Sequence, residues 1–386
     1  MKSQRIVIAL VALAAGVARS LPAQSSLSAV WGSGPGDVWA VGDAAAALHW
    51  DGRSWTAVPF GFELVGSLDA IWGSGPRDVF AVGGGGVIVH FDGASWTRMT
   101  SPVDAELVAV AGRGARDVYA LAQSDNDQTP PRLLHYDGTA WTASPLPFPF
   151  RVTGLAIAAG EAVVAGFVYF DPQPKERRQA GVVARWSAGR WTTQGWDGRR
   201  VADSLTGSTG WTRVAAAAGT LLLLGQNDEG DQEIATRAAN GGWSLLPLTP
   251  PDMPGSRVRQ LALAGDLTPI ALYEGSSFAR FTGGRWVAVN GRERLMQALE
   301  AQQQSGATEA QMQQAVMRIA ARMEAYDMSR ASAVWGTSAA DFWVVTDGGR
   351  IVRVQGDDAR IVYDAECADP ARAGMNPVCQ ALRAKP

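Results

Sequence analysis

Two spacings of apolar residues run along the chain, and they predict different elements. Over most of its length, short apolar runs alternate with clusters of Gly, Ser, Asp and Pro. Val38-Trp39-Ala40-Val41 is apolar at consecutive positions, so it reads as a strand covered on both faces. Ala29 to Gly32 is a strand before it, and Ser33-Gly34-Pro35-Gly36 between them has turn chemistry, because Pro fixes φ and Gly allows positive φ. Leu48-His49-Trp50 gives a third strand, Asp51-Gly52 a hairpin turn, and Trp55-Thr56-Ala57 a fourth. From Arg292 to Met328 the spacing changes. Met312, Val316, Ile319, Met323 and Tyr326 recur at intervals of 4, 3, 4 and 3, which is one apolar face of a helix. Leu295 and Leu299 supply a face on a preceding piece, Ser305-Gly306 divides the two, and Thr308 is placed to cap the second. A helical hairpin set into a β protein is expected.

The strand pattern repeats. Ala29 to Gly42 matches Ala70 to Gly83 at a constant offset of 41, and His49 to Trp55 matches His90 to Trp96. A third copy runs from Val108 to Thr142, and weaker ones begin near Thr153, Thr212 and Arg259. A clear copy returns at Ala333-Val334-Trp335-Gly336 and Asp341-Phe342-Trp343-Val344-Val345. Seven copies of four antiparallel strands predict an all-β fold, a seven-bladed β-propeller with a helical hairpin inserted before the last blade.

The pattern Trp-Gly-Ser-Gly-Pro-x-Asp-Val-Trp-Ala-Val-Gly, followed by Asp-Gly-x-x-Trp, resembles the repeats of secreted bacterial seven-bladed β-propeller proteins. It is distantly similar to Kelch and Asp-box propellers. The resemblance covers about residues 27–364. It departs from the Asp box in that Asp51 to Trp55 is one residue too short and the leading Ser is absent. Such a resemblance implies a fold and says little about function.

The organisation follows. Lys2 and Arg5 precede an apolar run from Ile6 to Ala18, too short for a membrane helix, and Leu21-Pro22-Ala23 follows. Residues 1–23 therefore read as a signal peptide, 24–289 as blades one to six, 290–330 as the helical insertion, 331–364 as blade seven and 365–386 as a tail. Export to the periplasm, the cell surface or the medium is expected, with no transmembrane segment in the mature chain. Cys367 and Cys379 are the only cysteines of the sequence, and in an exported protein they predict one disulfide in the tail. With 34 basic against 37 acidic residues, the chain lacks the positive excess of a nucleic-acid binder.

Most residues that suggest chemistry are absorbed by the repeat. The 15 tryptophans fall on shared repeat positions, read as packing between blades, except Trp196. His49, His90 and His135 share one strand position, taken later by Arg185, Arg280 and Arg353, so they read as strand residues rather than zinc ligands. Asp37, Asp78, Asp117 and Asp341 recur before the second strand and read as turn caps. The acidic stretches Ser124 to Asp127 and Asn227 to Asp231 lack the ligand alternation of a calcium loop. No Ser/His/Asp set and no phosphate loop can be assembled, so no metal, cofactor or catalytic residue is assigned.

Length variation is concentrated in second-to-third loops (Gln123 to Arg132, Asp171 to Ala180, Gln226 to Glu233) and in blade connections (Gln194 to Gly210, Asn290 to Arg330). In a propeller both classes emerge on one face, so one face is elaborated and the other plain. Three functions are compatible. The first is a non-catalytic protein-binding or scaffold module using that face and the insertion. Met312, Val316, Ile319, Met323 and Tyr326 then either contact the partner or pack on their own propeller. The second is a carbohydrate-binding, lectin-like propeller using Trp196, Asp197, Arg199 and Arg200. The third is a propeller glycoside hydrolase or lyase, with carboxylates such as Glu106, Glu161 and Glu274 converging on one cavity.

Overall fold

Each repeat is one antiparallel sheet, and seven such sheets form a ring. The computed structural model describes residues 26–124, 126, 128–173, 176–196, 201–202, 210–226, 231–237, 243–247, 256–274, 277–305, 308, 310–311, 315, 319, 322–368 and 378–379, with backbone alone at 170–173, 176–178, 195–196, 201–202, 290 and 292. Blade one is β1 (Leu27–Gly34), β2 (Asp37–Gly42), β3 (Ala46–Trp50) and β4 (Trp55–Ala57). Blade two is β5 (Leu68–Gly75), β6 (Asp78–Gly83), β7 (Ile88–Phe91) and β8 (Trp96–Arg98). Blade three is β9 (Leu107–Gly114), β10 (Asp117–Ala122), β11 (Arg132–Tyr136) and β12 (Trp141–Pro145). Blade four is β13 (Arg151–Ala158), β14 (Glu161–Gln173), β15 (Glu176–Ser187) and β16 (Arg190–Trp196), with a fifth strand, β17 (Val201–Ala202). Blade five is β18 (Gly210–Ala217), β19 (Thr220–Gln226), β20 (Gln232–Arg237) and β21 (Trp243–Leu246). Blade six is β22 (Val258–Leu263), β23 (Pro269–Tyr273), β24 (Ser277–Thr282) and β25 (Arg285–Asn290). Blade seven is β26 (Ala331–Ser338), β27 (Asp341–Thr346), β28 (Arg350–Gln355) and β29 (Asp358–Asp364).

The first strands neighbour one another in a closed cycle, so they line the axis. They are longer than the sequence pattern indicated. β1 runs through Ser33 and Gly34, and Pro35-Gly36 alone makes the turn. In every blade the first strand has a register shift near its start, from Leu27/Ala29 in blade one to Ala331/Ala333 in blade seven. One extra residue there is the mark of a β-bulge, which re-aims a side chain. The bulged residues are Ser28, Asp69, Val108, Thr153, Thr212, Arg259 and Ser332.

Packing between blades explains the tryptophans. The second strands are apolar throughout because each is covered on both sides, and Val38 to Val41 are fully buried. Each indole of the first strands lies over a glycine of the next blade. A methyl group added to Gly73 would meet the ring of Trp31 at 2.6 Å, and one on Gly32 would meet Trp335 at 2.6 Å. The fourth-strand tryptophan fills the wedge toward the preceding blade. Trp96 meets Trp39 edge-on with centroids 5.4 Å apart, and Trp55 meets Trp343 at 5.5 Å. The Asp-Gly hairpins have left-handed glycines, such as Gly52 at φ 91°, and the Asp51 carboxylate accepts the N–H groups of Arg53 and Ser54, both at 2.9 Å.

Among the described residues no blade borrows a strand from another. Blade one meets blade seven through a shared cluster that includes Leu27, Val30, Val38, Trp343, Val345 and Ile351. Among the described residues one side-chain bond crosses this seam, from the Ser26 hydroxyl to the Asp347 carbonyl at 2.8 Å. Cys367 and Cys379 form the expected disulfide, with Cα atoms 5.2 Å apart, just after β29. Among the described residues no helix is long and apolar enough to cross a membrane. Residues 1–25, which hold the expected signal peptide, lie outside the described residues.

The insertion opens with α1 (Gly291–Gln304), and residues 310, 311, 315, 319 and 322–325 are helical. Thr308 caps the second piece as expected, in a reciprocal box. The Gln311 N–H donates to the Thr308 hydroxyl at 3.3 Å, and the Thr308 N–H donates to Gln311 Oε1 at 2.8 Å. The insertion lies along the flank of the ring. Leu295, Ala325, Tyr326 and Met328 are buried in one cluster with Phe278 of blade six and Phe342, Val354 and Ala359 of blade seven. Ion pairs from Arg294 to Asp357 at 2.5 Å and from Arg322 to Asp358 hold it against the β28–β29 turn.

Candidate functional site

Second-to-third loops and blade connections all leave the same end of the ring, which is the elaborated face. At this end charged side chains from neighbouring blades come together near the axis. Asp43 of blade one, Asp69 of blade two and Glu106 at the entry to blade three form an acidic group. Asp69 is the bulged residue of its strand and is half-buried, with the Ser67 hydroxyl donating to Oδ2 at 3.1 Å. Its pKa is raised above the ordinary carboxyl value by burial and by the negative charges of Glu106 and Asp43, against the opposing Ser67 bond.

Across the ring two arginines stand close together on the first strands of blades five and six. Arg213 of blade five donates from Nε to Gln260 Oε1 of blade six at 3.1 Å, and from Nη1 to the Thr212 carbonyl at 2.7 Å. Arg259, the bulged residue of blade six, donates from Nε to the Ala331 carbonyl of blade seven at 3.3 Å. Gln260 donates onward to the Ser332 carbonyl at 2.6 Å. Burial and the neighbouring Arg259 charge lower the pKa of Arg213. The bulge therefore does two things. It aims Asp69 and Arg259 away from the strand register, and where it holds Thr153 it ties neighbouring blades, through a 2.7 Å bond to the Trp211 carbonyl.

Beside the acidic group, a polar cavity of about 430 Å³ opens between the connection Pro102 to Ala105 and the loop from Gln123 to Arg132. Asn126 shapes this loop, accepting the N–H groups of Gln128 at 2.9 Å and Thr129 at 2.8 Å. Asp125 and Asp127 lie outside the described residues, as do 227–230 of the second acidic stretch.

The plain face carries a repeated polar network that the sequence reading missed. Asp37 accepts from His49 Nε2 at 2.6 Å through one oxygen and from the Ser33 hydroxyl at 2.5 Å through the other. Asp78 binds His90 at 2.7 Å and the Ser74 hydroxyl in the same way. Asp117 binds His135 at 2.9 Å, and Arg113 replaces the serine. Arg353 replaces the histidine in blade seven and holds Asp341 with two bonds, of 2.9 and 2.8 Å. These aspartates therefore do more than cap a turn. They clamp the third strand to the first-to-second turn. Each imidazole also packs on its second-strand aromatic ring, with centroids 4.2 Å apart for Trp39 and His49. The serine bonds the carboxylate and not the imidazole, so the group does not form a nucleophile–base relay. The signal was present in the repeats, where the His or Arg position pairs with an Asp position.

The remaining candidates are dispersed. Tyr326 is buried, and Ile319 and Met323 pack against the same cluster between blades six and seven. These members of the apolar helix face are turned onto their own propeller, because a wedge there is left open by the small Ala359. Met312 and Val316 lie outside the described residues. Trp196 ends β16 and pairs with Val201 of the fifth strand, so the connection begins with a further hairpin. Its side chain and Asp197, Arg199 and Arg200 lie outside the described residues. Glu106, Glu161 and Glu274 do not converge. Glu106 and Glu274 are on the elaborated face, whereas Glu161 starts β14 on the plain face, 3.8 Å from Arg185. Among the described residues no three His, Cys, Asp or Glu side chains come together to hold a metal ion.

No protein-family model matches the chain, and no curated protein matches its sequence. Solved structures do resemble it. YCF48 bound to D1 peptide is 13% identical with a TM-score of 0.56, over 87% of this chain and 95% of that one. YCF48 from Cyanidioschyzon merolae is 13% identical with a TM-score of 0.53, over 87% and 97%. The WD40 β-propeller domain of Doa1 is 10% identical with a TM-score of 0.53, over 86% and 92%. At these identities the likeness establishes the propeller fold.

Proposed function

We propose that this protein is an exported, non-catalytic propeller that binds a peptide or a protein segment across its elaborated face. The observation that carries the reading is the pair of charged groups near the axis, Asp43, Asp69 and Glu106 in blades one to three and Arg213 and Arg259 in blades five and six. A carboxylate kept partly desolvated beside two others opposes folding, so the acidic group is better explained by a ligand than by stability. An extended peptide carries donors and charges of both signs and suits such a surface. YCF48, with the same fold, has been captured with a peptide bound. Export accords with the basic and apolar N-terminal run, with the likeness of the repeats to secreted bacterial propellers and with the tail disulfide.

The test is selection from a displayed library of random peptides. Peptides enriched on the intact protein are titrated against two variants. Asp69→Asn combined with Glu106→Gln on the elaborated face should weaken binding at least tenfold. Arg77→Ala on the plain face should leave it unchanged. Equal loss in both variants, or enrichment of nothing while a glycan array binds, would overturn the reading.

A further inference from the structure

We infer that Arg213 and Arg259 form an anion site inside the channel mouth that takes a carboxylate. The inference deepens the peptide-binding reading and rests on it only for where the carboxylate comes from.

The two arginines stand where the repeat has small residues. Aligned with Arg213, the other blades carry Ala29, Ala70, Ala109, Gly154 and Ala333, and only Gln260 is also large. Aligned with Arg259 are Ser28, Val108, Thr153, Thr212 and Ser332, with Asp69 the other charged residue. A seven-membered ring places blades two and six on opposite sides, so Asp69 and Arg259 are not neighbours. At these two first-strand positions blades five and six thus place two guanidinium groups and an amide near the axis, where most other blades have short side chains.

Their hydrogen bonding is incomplete in a specific way. Arg213 uses Nε and Nη1 on neutral oxygens, and Arg259 uses Nε on a carbonyl. Among the described residues neither is paired with a carboxylate. A guanidinium has five N–H donors, so each retains donors that no group among the described residues takes. Arg213 is open to solvent, yet protein surrounds it closely enough to disfavour its charged form, and Arg259 adds repulsion. Both are held in place by Gln260 and by the carbonyl oxygens of Thr212 and Ala331. Two fixed, adjacent cations that no carboxylate among the described residues neutralises attract an anion, and a planar carboxylate matches the guanidinium fork.

The probes are N-acetylglycine, which ends in a main-chain carboxylate, N-acetylaspartic acid α-amide, which has only the side-chain one, and N-acetylglycinamide, which has none. The readout is the Nε–H resonances of the arginines in the full folded chain, assigned by single Arg→Gln variants. Saturable shifts of the Arg213 and Arg259 resonances with either acid, and none with the amide, are expected. Arg213→Gln and Arg259→Gln should each weaken binding at least tenfold. The stronger acid identifies a chain end or an acidic side chain as the source. The inference is overturned by equal shifts with acid and amide, by no saturable shift, or by retention of binding in both variants. If the acids bind while no peptide is selected on the elaborated face, the site stands and the peptide reading falls. If selected peptides bind and the acids do not, the reverse holds.

Discussion

Tyr326 takes the place of the tryptophan that blade seven lacks at Ala359. Its hydroxyl donates to the Asp357 carbonyl at 2.6 Å and accepts the Ala359 N–H at 3.3 Å, while its ring fills the wedge toward blade six. The six other blades carry Trp55, Trp96, Trp141, Trp191, Trp243 and Trp286 at this position. The helical insertion is thus a structural part of the ring, and its side chain completes a contact that the repeat supplies elsewhere.

Tyr326→Ala should cost about 3–5 kcal/mol, the range for removing a buried aromatic ring. Tyr326→Phe should cost about 1 kcal/mol, because only the hydroxyl bonds are lost. Restoring the repeat with Ala359→Trp should harm the intact protein by crowding and yet recover part of the loss in Tyr326→Ala. Urea midpoints of the four proteins give the coupling energy. Additive effects would mean that the two residues do not share the wedge.

Asp69→Asn should raise the melting temperature near neutral pH, because it removes a carboxylate whose charged form is disfavoured by burial and by Glu106 and Asp43. The gain should be a fraction of a kcal/mol, as Asp69 is only half-buried. The benefit should shrink as the pH falls through the raised pKa of Asp69 and the native side chain takes up a proton. A lower melting temperature would show that the Ser67 bond outweighs the repulsion.

The plain-face clamps predict an acid-sensitive ring. Burial alone would raise the pKa values of Asp37 and Asp117, but the bonds from His49 and Ser33, and from Arg113 and His135, hold both below the ordinary value. A depressed carboxyl stabilises fully above its unfolded pKa, about pH 4, and the contribution is lost as pH falls through the folded value. Denaturation midpoints should therefore drop from about pH 4 downward. Asp37→Asn with Asp117→Asn should be less stable at pH 7, by about 1 kcal/mol per site, and should lose less on acidification. Parallel pH profiles would dismiss the clamps as stabilising pairs.

Reduction of Cys367–Cys379 should lower stability by about 3 kcal/mol on chain-entropy grounds. Calorimetry with and without a phosphine reductant measures this. An unchanged transition would mean that the tail folds independently of the ring.

The ring itself was legible because the repeat is carried by side chains that must recur. Trp31 needs Gly73 beneath it, and Asp51 needs Gly52 after it. The clamps were half legible, since His49 and Asp37 recur together but the contact between them exists only once β2 and β3 pair. The wedge was legible as an absence, the missing tryptophan at Ala359, but not its substitute, because Tyr326 arrives from outside the repeat. The channel mouth was hidden for another reason. Side-chain direction in a strand is read from alternation, and the bulge at Asp69 and Arg259 breaks it without leaving a trace in composition.

The seam between blades one and seven has a mechanical consequence. Six of the seven joints are bridged by continuous main chain, whereas among the described residues this one is held by interlocked side chains and the Ser26–Asp347 bond. Gripped at Ser26 and Asp364 and drawn apart, the circle should part at the seam first and open like a split washer. The blades would then peel away from the two free edges inward, and each lost blade would expose the next. Resistance to pulling is thus set by a single joint, however well the other six are packed.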